Sequence, residues 1–258
     1  MTDERLRVDW HNHTRDFSDG QLTLAEVAAR GAELGLCLGV ADHALQDNRR
    51  LREPEQLLAY AAALERYPVL RGMEISLGEP SAPDERWIGR LTHVIASLHV
   101  VRVGEHAVNT THYLNYRAGV LPALRPPPAE VEPEAYLAAI PPLLERTFRR
   151  WPVTILGHFA LVPSLAERAR PEDVGACLDA VADLAVRHGV AVELNSKSRV
   201  PDLEVVRRMA ARGATFALGS DGHGADTVGN LASAWETWAA SGLPASRLLA
   251  PPPGVACP

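Results

Sequence analysis

The sequence predicts one parallel α/β domain in which strands and helices alternate along the chain. Three observations lead there. Short apolar runs recur and end in polar residues, and the stretches between them are rich in Ala, Leu, Glu and Arg with a helical period. The runs are nearly continuous rather than alternating, as expected of strands covered on both faces. With 258 residues and 47% hydrophobic content, the chain is long enough to bury one sizeable core.

Taken in order, seven strands are predicted, at Leu6–Trp10, Leu36–Ala41, Val69–Glu74, His93–Ser97, Val153–Gly157, Ala191–Asn195 and Thr215–Gly219. Helices are predicted between them at Leu24–Leu34, Pro54–Glu65, Ala135–Arg150, Pro171–His188 and Leu203–Arg212. Thr23 and Asp202 are suitable caps for the helices that follow them. Val101 to Pro133 interrupts the rhythm with a polar stretch and the prolines Pro126, Pro127 and Pro128, and it reads as a long loop over the site. Residues 1–249 form the expected single domain, and 250–258 a proline-rich, frayed tail.

Composition excludes several functions. The net charge of −6, with acidic and basic residues mixed along the chain, argues against a basic nucleic-acid or membrane surface. No apolar run reaches the roughly 20 residues that span a bilayer, and the N-terminus lacks a signal core. Cys37, Cys177 and Cys257 are too few and too far apart for a disulfide framework or a CxxC metal site. A cytoplasmic protein is expected.

Chemistry-bearing residues sit at the strand ends. His11 and His13 follow the first strand, Asp42 and His43 the second, and Glu74 closes the third. His99 follows the fourth, His158 the fifth, and Asp221 and His223 the seventh. In a parallel barrel all these ends lie on one face, so distant residues converge. A lone histidine near a strand end is more often a hydrogen-bonded structural residue than a ligand. Repetition at successive strand ends favours a metal site, and imidazole with carboxylate suits Zn, Mn or Fe. His11 and His13, two apart on extended chain, point to the same side.

Several short motifs appear in sequence order: Asp9 to Thr14 (DWHNHT) with Ser18 to Gly20 (SDG), Val40 to His43 (VADH) and Gly72 to Ile75 (GMEI). Ala96 to His99 (ASLH), Leu156 to His158 (LGH), Glu193 to Asn195 (ELN) and Gly219 to His223 (GSDGH) complete the set. In this order they resemble the polymerase and histidinol phosphatase (PHP) superfamily of metal-dependent phosphoesterases. The resemblance implies a distorted (β/α)7 barrel, like a TIM barrel with parallel strands, and a metal site at the C-terminal strand ends. It further implies two or three divalent ions. His11, His13, Glu74 and Asp221 would hold one, Glu74, His99 and His158 a second, and Asp19, His43 and His223 a third.

The remaining polar residues carry weaker signals. His93 reads as structural, and His188, ending a helix before Gly189, complements the helix dipole. His106, His112 and Tyr113 either touch substrate or are solvated loop residues. Asp42 is placed to orient a ligand imidazole.

The expected reaction is hydrolysis of a small phosphate monoester by hydroxide bridging two metals, with Asp221 or His223 assisting proton transfer to the leaving oxygen. Arg199, and after it Lys197, are the candidate phosphate contacts, against the alternative of solvated loop charges. L-histidinol phosphate is the most specific substrate the resemblance offers. The alternatives are a nucleotide or oligonucleotide phosphoesterase, and a non-catalytic metal-binding barrel.

Overall fold

Seven apolar runs become one parallel sheet because each is covered on both faces, by helices outside and by the other strands inside. The computed structural model describes residues 3–123 and 127–253. Pro126, Cys257 and the last five residues of the expected tail lie outside the described residues.

The elements run β1 (Val8–Asn12), α1 (Leu24–Leu34), β2 (Cys37–Val40), α2 (Pro54–Leu64), β3 (Leu70–Ser76), α3 (Glu85–Ile88) and β4 (His93–Ser97). Then follow β5 (Val100–Val103), β6 (His106–Asn109), α4 (Thr110–Arg117), α5 (Pro133–Arg150) and β7 (Ile155–Gly157). The chain continues through α6 (Pro163–Ala166), α7 (Pro171–His188), β8 (Ala191–Asn195), α8 (Leu203–Ala211), β9 (Phe216–Gly219) and α9 (Ala232–Ser241).

The sheet order is β1-β2-β3-β4-β7-β8-β9, every pair parallel. Its two edges meet. Asn12 bridges Gly222, and His13 N donates to Gly222 O at 2.9 Å. The Asp9 carboxylate fills the rest of the seam, accepting from Ser220 N at 2.8 Å and from Ser220 Oγ at 2.6 Å. Side chains thus replace part of a backbone ladder, which makes this a distorted (β/α)7 barrel.

Inside the barrel, strand period two sorts the residues into layers. Val8, Trp10, Cys37, Leu70, Ile95, Ile155, Ala191 and Ala217 pack as an inner apolar plug. Two residues further along several strands the interior residue is Gly39, Gly72, Gly157 or Gly219. Beyond this narrow layer, the same inward phase delivers His43, Glu74, His99 and Asp221 at the C-terminal mouth. β1 departs from that phase: its register shifts between Asp9 and Asn12. Such an irregularity re-aims a strand, so His11 and His13 face the site although Trp10 faces the plug.

The structure moves β1 two residues later than expected and turns Glu4–Arg7 into a 3-10 helix. The segment after Val101 is also more ordered than a loop. β5 and β6 form an antiparallel hairpin, turned at Gly104 with φ of +58°, and α4 follows directly. Cys37 is disulfide-bonded, which the wide cysteine spacing did not anticipate, whereas Cys177 is a free buried thiol. Among the described residues, no helix is long and apolar enough to cross a membrane.

Candidate metal centre

Glu74 is the hub. It is fully buried at the end of β3, where no water can satisfy its charge, and imidazoles surround it instead. His43 Nδ1 lies 2.7 Å from Oε2 and His158 Nε2 3.0 Å from Oε1. His99 Nε2 is 3.3 Å from Oε1, while His11 Nε2 and His13 Nε2 are 3.5 and 3.7 Å from Oε2. Burial works against the carboxylate's charge, but the His43 and His11 imidazoles outweigh it and hold the Glu74 pKa well below the usual carboxylate range.

The other predicted ligands join the same cluster. His13 Nε2 is 3.3 Å from Asp221 Oδ1, and Asp19 Oδ2 is 3.3 Å from His223 Nε2. Three overlapping groups have donor atoms mutually within 4.8 Å: His11 with His13 and Glu74; His43 with Glu74 and His99; and His13 with Asp19, His43 and His223. All nine ligand positions suggested by the sequence are therefore brought together. His13 and His43 each belong to two groups, so the sharing is wider than the sequence reading assigned.

These residues fit divalent ions better than they fit one another. His43 Nδ1 and Glu74 Oε2 stand 2.7 Å apart, yet neither has an aligned hydrogen bond, and His13 Nδ1 and His158 Nδ1 are also unpartnered. Four buried polar atoms without partners in one cluster are costly unless cations take up the lone pairs. His11 Nε2 and His13 Nε2 face each other at 3.1 Å, the arrangement of two donors aimed at one ion. His158 and Asp221 also hold positive φ values, +25° and +52°, a backbone cost that concentrates at functional sites.

The residues that orient this cluster were less visible in the sequence. Glu193, buried on β8, accepts from His11 Nδ1 at 2.8 Å and from the His158 backbone N–H. It therefore fixes the His11 tautomer, leaving Nε2 free to ligate. Gly219 makes room for it, since a Cβ there would collide with Glu193 Oε1. His99 is held similarly. Its Nδ1 lies 2.7 Å from Ser76 Oγ, which donates to Asp47 Oδ2 at 2.6 Å. Glu193→Gln is expected to weaken metal binding by about 10- to 100-fold, as losing an outer partner of a ligand histidine does. Chelator competition measures this, and unchanged affinity would show that Glu193 serves the fold alone.

Asp42 takes a different position from the one expected of it. Its carboxylate accepts from Thr14 N at 2.6 Å and Thr14 Oγ1 at 2.8 Å, so it anchors the loop after β1 and orients no imidazole. Burial pushes its pKa up to about 7 against those bonds. His93 is structural: Nε2 donates to Trp10 O at 2.9 Å. His188 lies 3.7 Å from Glu145 at the end of α7, outside the cluster. Tyr113 and His112 belong to α4, where the Tyr113 hydroxyl accepts from Arg117 at 3.2 Å.

Of the two candidate phosphate contacts, Lys197 is the one at the cluster. Its Nζ is 3.2 Å from Asp221 Oδ2 and 3.4 Å from His223 Nδ1. Arg199 has an exposed side chain and a positive φ of +53°, and it meets Arg117 through its carbonyl at 2.8 Å.

Neither a protein-family profile nor a curated protein matches the sequence. Solved structures match the fold. Histidinol phosphate phosphatase from Lactococcus lactis, complexed with zinc, L-histidinol and phosphate, aligns with a TM-score of 0.58 at 15% identity, over 96% of this chain and 97% of that one. The putative histidinol phosphatase of Listeria monocytogenes aligns with a TM-score of 0.60 at 14% identity, over 88% of this chain and 99% of that one. Along almost its whole length, the chain has the fold of the histidinol phosphate phosphatases.

Proposed function

We propose that the protein hydrolyses a small phosphate monoester with the help of two or three divalent ions. The observation that carries this reading is the convergence of five imidazoles on one buried carboxylate, Glu74, at the mouth of the barrel. His11, His13, Glu74 and Asp221 would hold one ion, Glu74, His99 and His158 another, and Asp19, His43 and His223 a third. Ions bound there would neutralise phosphate charge and supply activated water.

The chain's own residues account for the rest of the reaction. Lys197 presents an ammonium to a phosphoryl oxygen from the rim, and no protein side chain acts as nucleophile. Asp221 stays ionised because Lys197 and His13 outweigh the burial that opposes its charge. His223 Nδ1 donates to Asp221 O at 2.8 Å, which leaves Nε2 as the ring's acceptor. Asp221 and His223 are the groups placed to accept the proton that the attacking water loses and to pass it to the leaving alkoxide.

L-histidinol phosphate is the first monoester to assay, because of the motif resemblance and because the Lactococcus neighbour is complexed with L-histidinol and phosphate. Phosphate release from monoesters and nucleotides by protein reconstituted with Zn or Mn tests the reading. Turnover that depends on added metal supports it, and a fully metallated protein that releases nothing overturns it. Lys197→Gln is expected to lower kcat/KM by about 10- to 100-fold through KM, exceeding the loss in Arg199→Gln by at least about tenfold. Equal losses in the two variants would remove Lys197 from the phosphate site.

A further inference from the structure

A cavity of about 390 Å³ opens beside His99 at the same end of the barrel. Ser76 and Asp47 line it together with Arg102 from β5 and Arg146 from α5, two exposed side chains. His99 stands between this cavity and the metal cluster. Its Nε2 is 3.3 Å from Glu74 Oε1, and its Nδ1 faces Ser76 on the cavity side at 2.7 Å.

The lining has a sign. Two arginines and one carboxylate line it, and that carboxylate, Asp47, is already engaged by Ser76 Oγ at 2.6 Å. Neither Arg102 nor Arg146 has a side-chain hydrogen bond or ion pair among the described residues. Most arginines of this chain are better satisfied. On the same helix, Arg149 pairs with Glu145, and Arg208 and Arg212 pair with Asp179 and Asp183. In a chain of net charge −6, leaving two cations unpaired around one concavity is an arrangement suited to an anion.

We propose that this cavity seats the leaving group of the phosphate ester and selects leaving groups that carry a carboxylate or a second phosphate. The proposal rests on the phosphatase reading, because only a phosphoryl group held at the cluster makes the neighbouring cavity a leaving-group site. Arg102 comes from the β5–β6 hairpin, so the insertion over the barrel mouth supplies half of the selectivity. The other half comes from α5. A cationic amino alcohol such as histidinol meets the wrong charge here, which sets this chain's substrate class apart from that of its structural neighbour.

The test uses phenyl phosphate and its para-carboxylate, para-phosphate and para-aminomethyl derivatives, with the metal-reconstituted full chain and its R102Q/R146Q variant. Binding of terephthalate, which has no ester to hydrolyse, is measured on both proteins by calorimetry, with circular dichroism confirming that both are folded. The wild type is expected to prefer the two anionic esters over the neutral and aminomethyl ones by about tenfold or more in kcat/KM, a ratio that collapses to about one in the variant. Terephthalate binding should weaken by about tenfold in the variant. A preference that survives the double substitution, or one for the aminomethyl ester, overturns the proposal. If no ester is cleaved while terephthalate binding still depends on the two arginines, the phosphatase reading fails and the anion site stands. If esters are cleaved without charge preference and terephthalate does not bind, the site fails and the phosphatase reading stands.

Discussion

Replacing Glu74 by glutamine is expected to abolish turnover, lowering kcat/KM by at least about 10³-fold, equivalent to about 4 kcal/mol of transition-state stabilisation. The change is isosteric, so packing at the end of β3 survives, and what is lost is one negative charge at the centre of the cluster. That charge is what His11, His13, His43, His99 and His158 share, each with a ring nitrogen between 2.7 and 3.7 Å from a Glu74 oxygen. A neutral amide cannot bridge two cations, because it offers one oxygen acceptor and presents two N–H donors to atoms that need lone pairs. Metal content should therefore fall together with activity. Elemental analysis of purified wild type and variant, with circular dichroism as the check on folding, reads both effects. A variant that keeps its full metal complement and near-normal turnover would mean that Glu74 organises the histidines without joining the ions, and the proposed mechanism would have to be rebuilt around Asp221.

The cluster of candidate ligands was legible in the sequence because a parallel barrel places every strand's C-terminal end on one face, and polar residues there stand out against apolar runs. Glu74, His99 and Asp221 follow directly from this, since they continue the inward phase of Leu70, Ile95 and Ala217. Other features depended on distant partners. The expected first strand stops at Trp10 because His11 and Asn12 look like loop residues, and only the seam with Ser220 and Gly222 makes them strand. Glu193 sits in the ELN motif, but its role depends on His11, 182 positions away. The hairpin had a local signal, two valine-containing stretches flanking Gly104 and Glu105. The polar and proline-rich residues between Val101 and Pro133 mask it. The sequence put Arg199 ahead of Lys197, but two residues on a turning loop point in unrelated directions, and it is Lys197 that lies beside Asp221 while the Arg199 side chain is exposed.

Acid should destabilise the fold through His93, a histidine of the barrel interior that lies outside the candidate metal cluster. Its ring is 2% exposed, donates from Nε2 to Trp10 O and lies edge-on to the Trp10 ring, with centroids 5.1 Å apart. Burial lowers its pKa from 6.5 to about 3, outweighing the bond to Trp10 that favours the charged form. The unfolded chain takes up a proton below about pH 6.5 while the folded chain does not, so stability is fully present above that pH and is lost as the pH falls. The limiting slope is about 1.4 kcal/mol per pH unit, and the loss between pH 7.5 and 4.5 is about 2.7 kcal/mol. Asp9 acts in the opposite direction. Burial raises its pKa to about 6, so protonation below that pH favours the folded state and masks part of the loss. Comparison with His93→Gln isolates the histidine, because Asp9 and the histidines of the candidate cluster are common to both proteins. In chelator, denaturant unfolding at pH 7.5 should find the variant less stable by about 1–3 kcal/mol, the cost of a disturbed buried hydrogen bond. That gap should close by about 2.7 kcal/mol on going to pH 4.5. Parallel stability curves would show that the folded barrel accommodates the charged ring, and that the interior around Trp10 admits water.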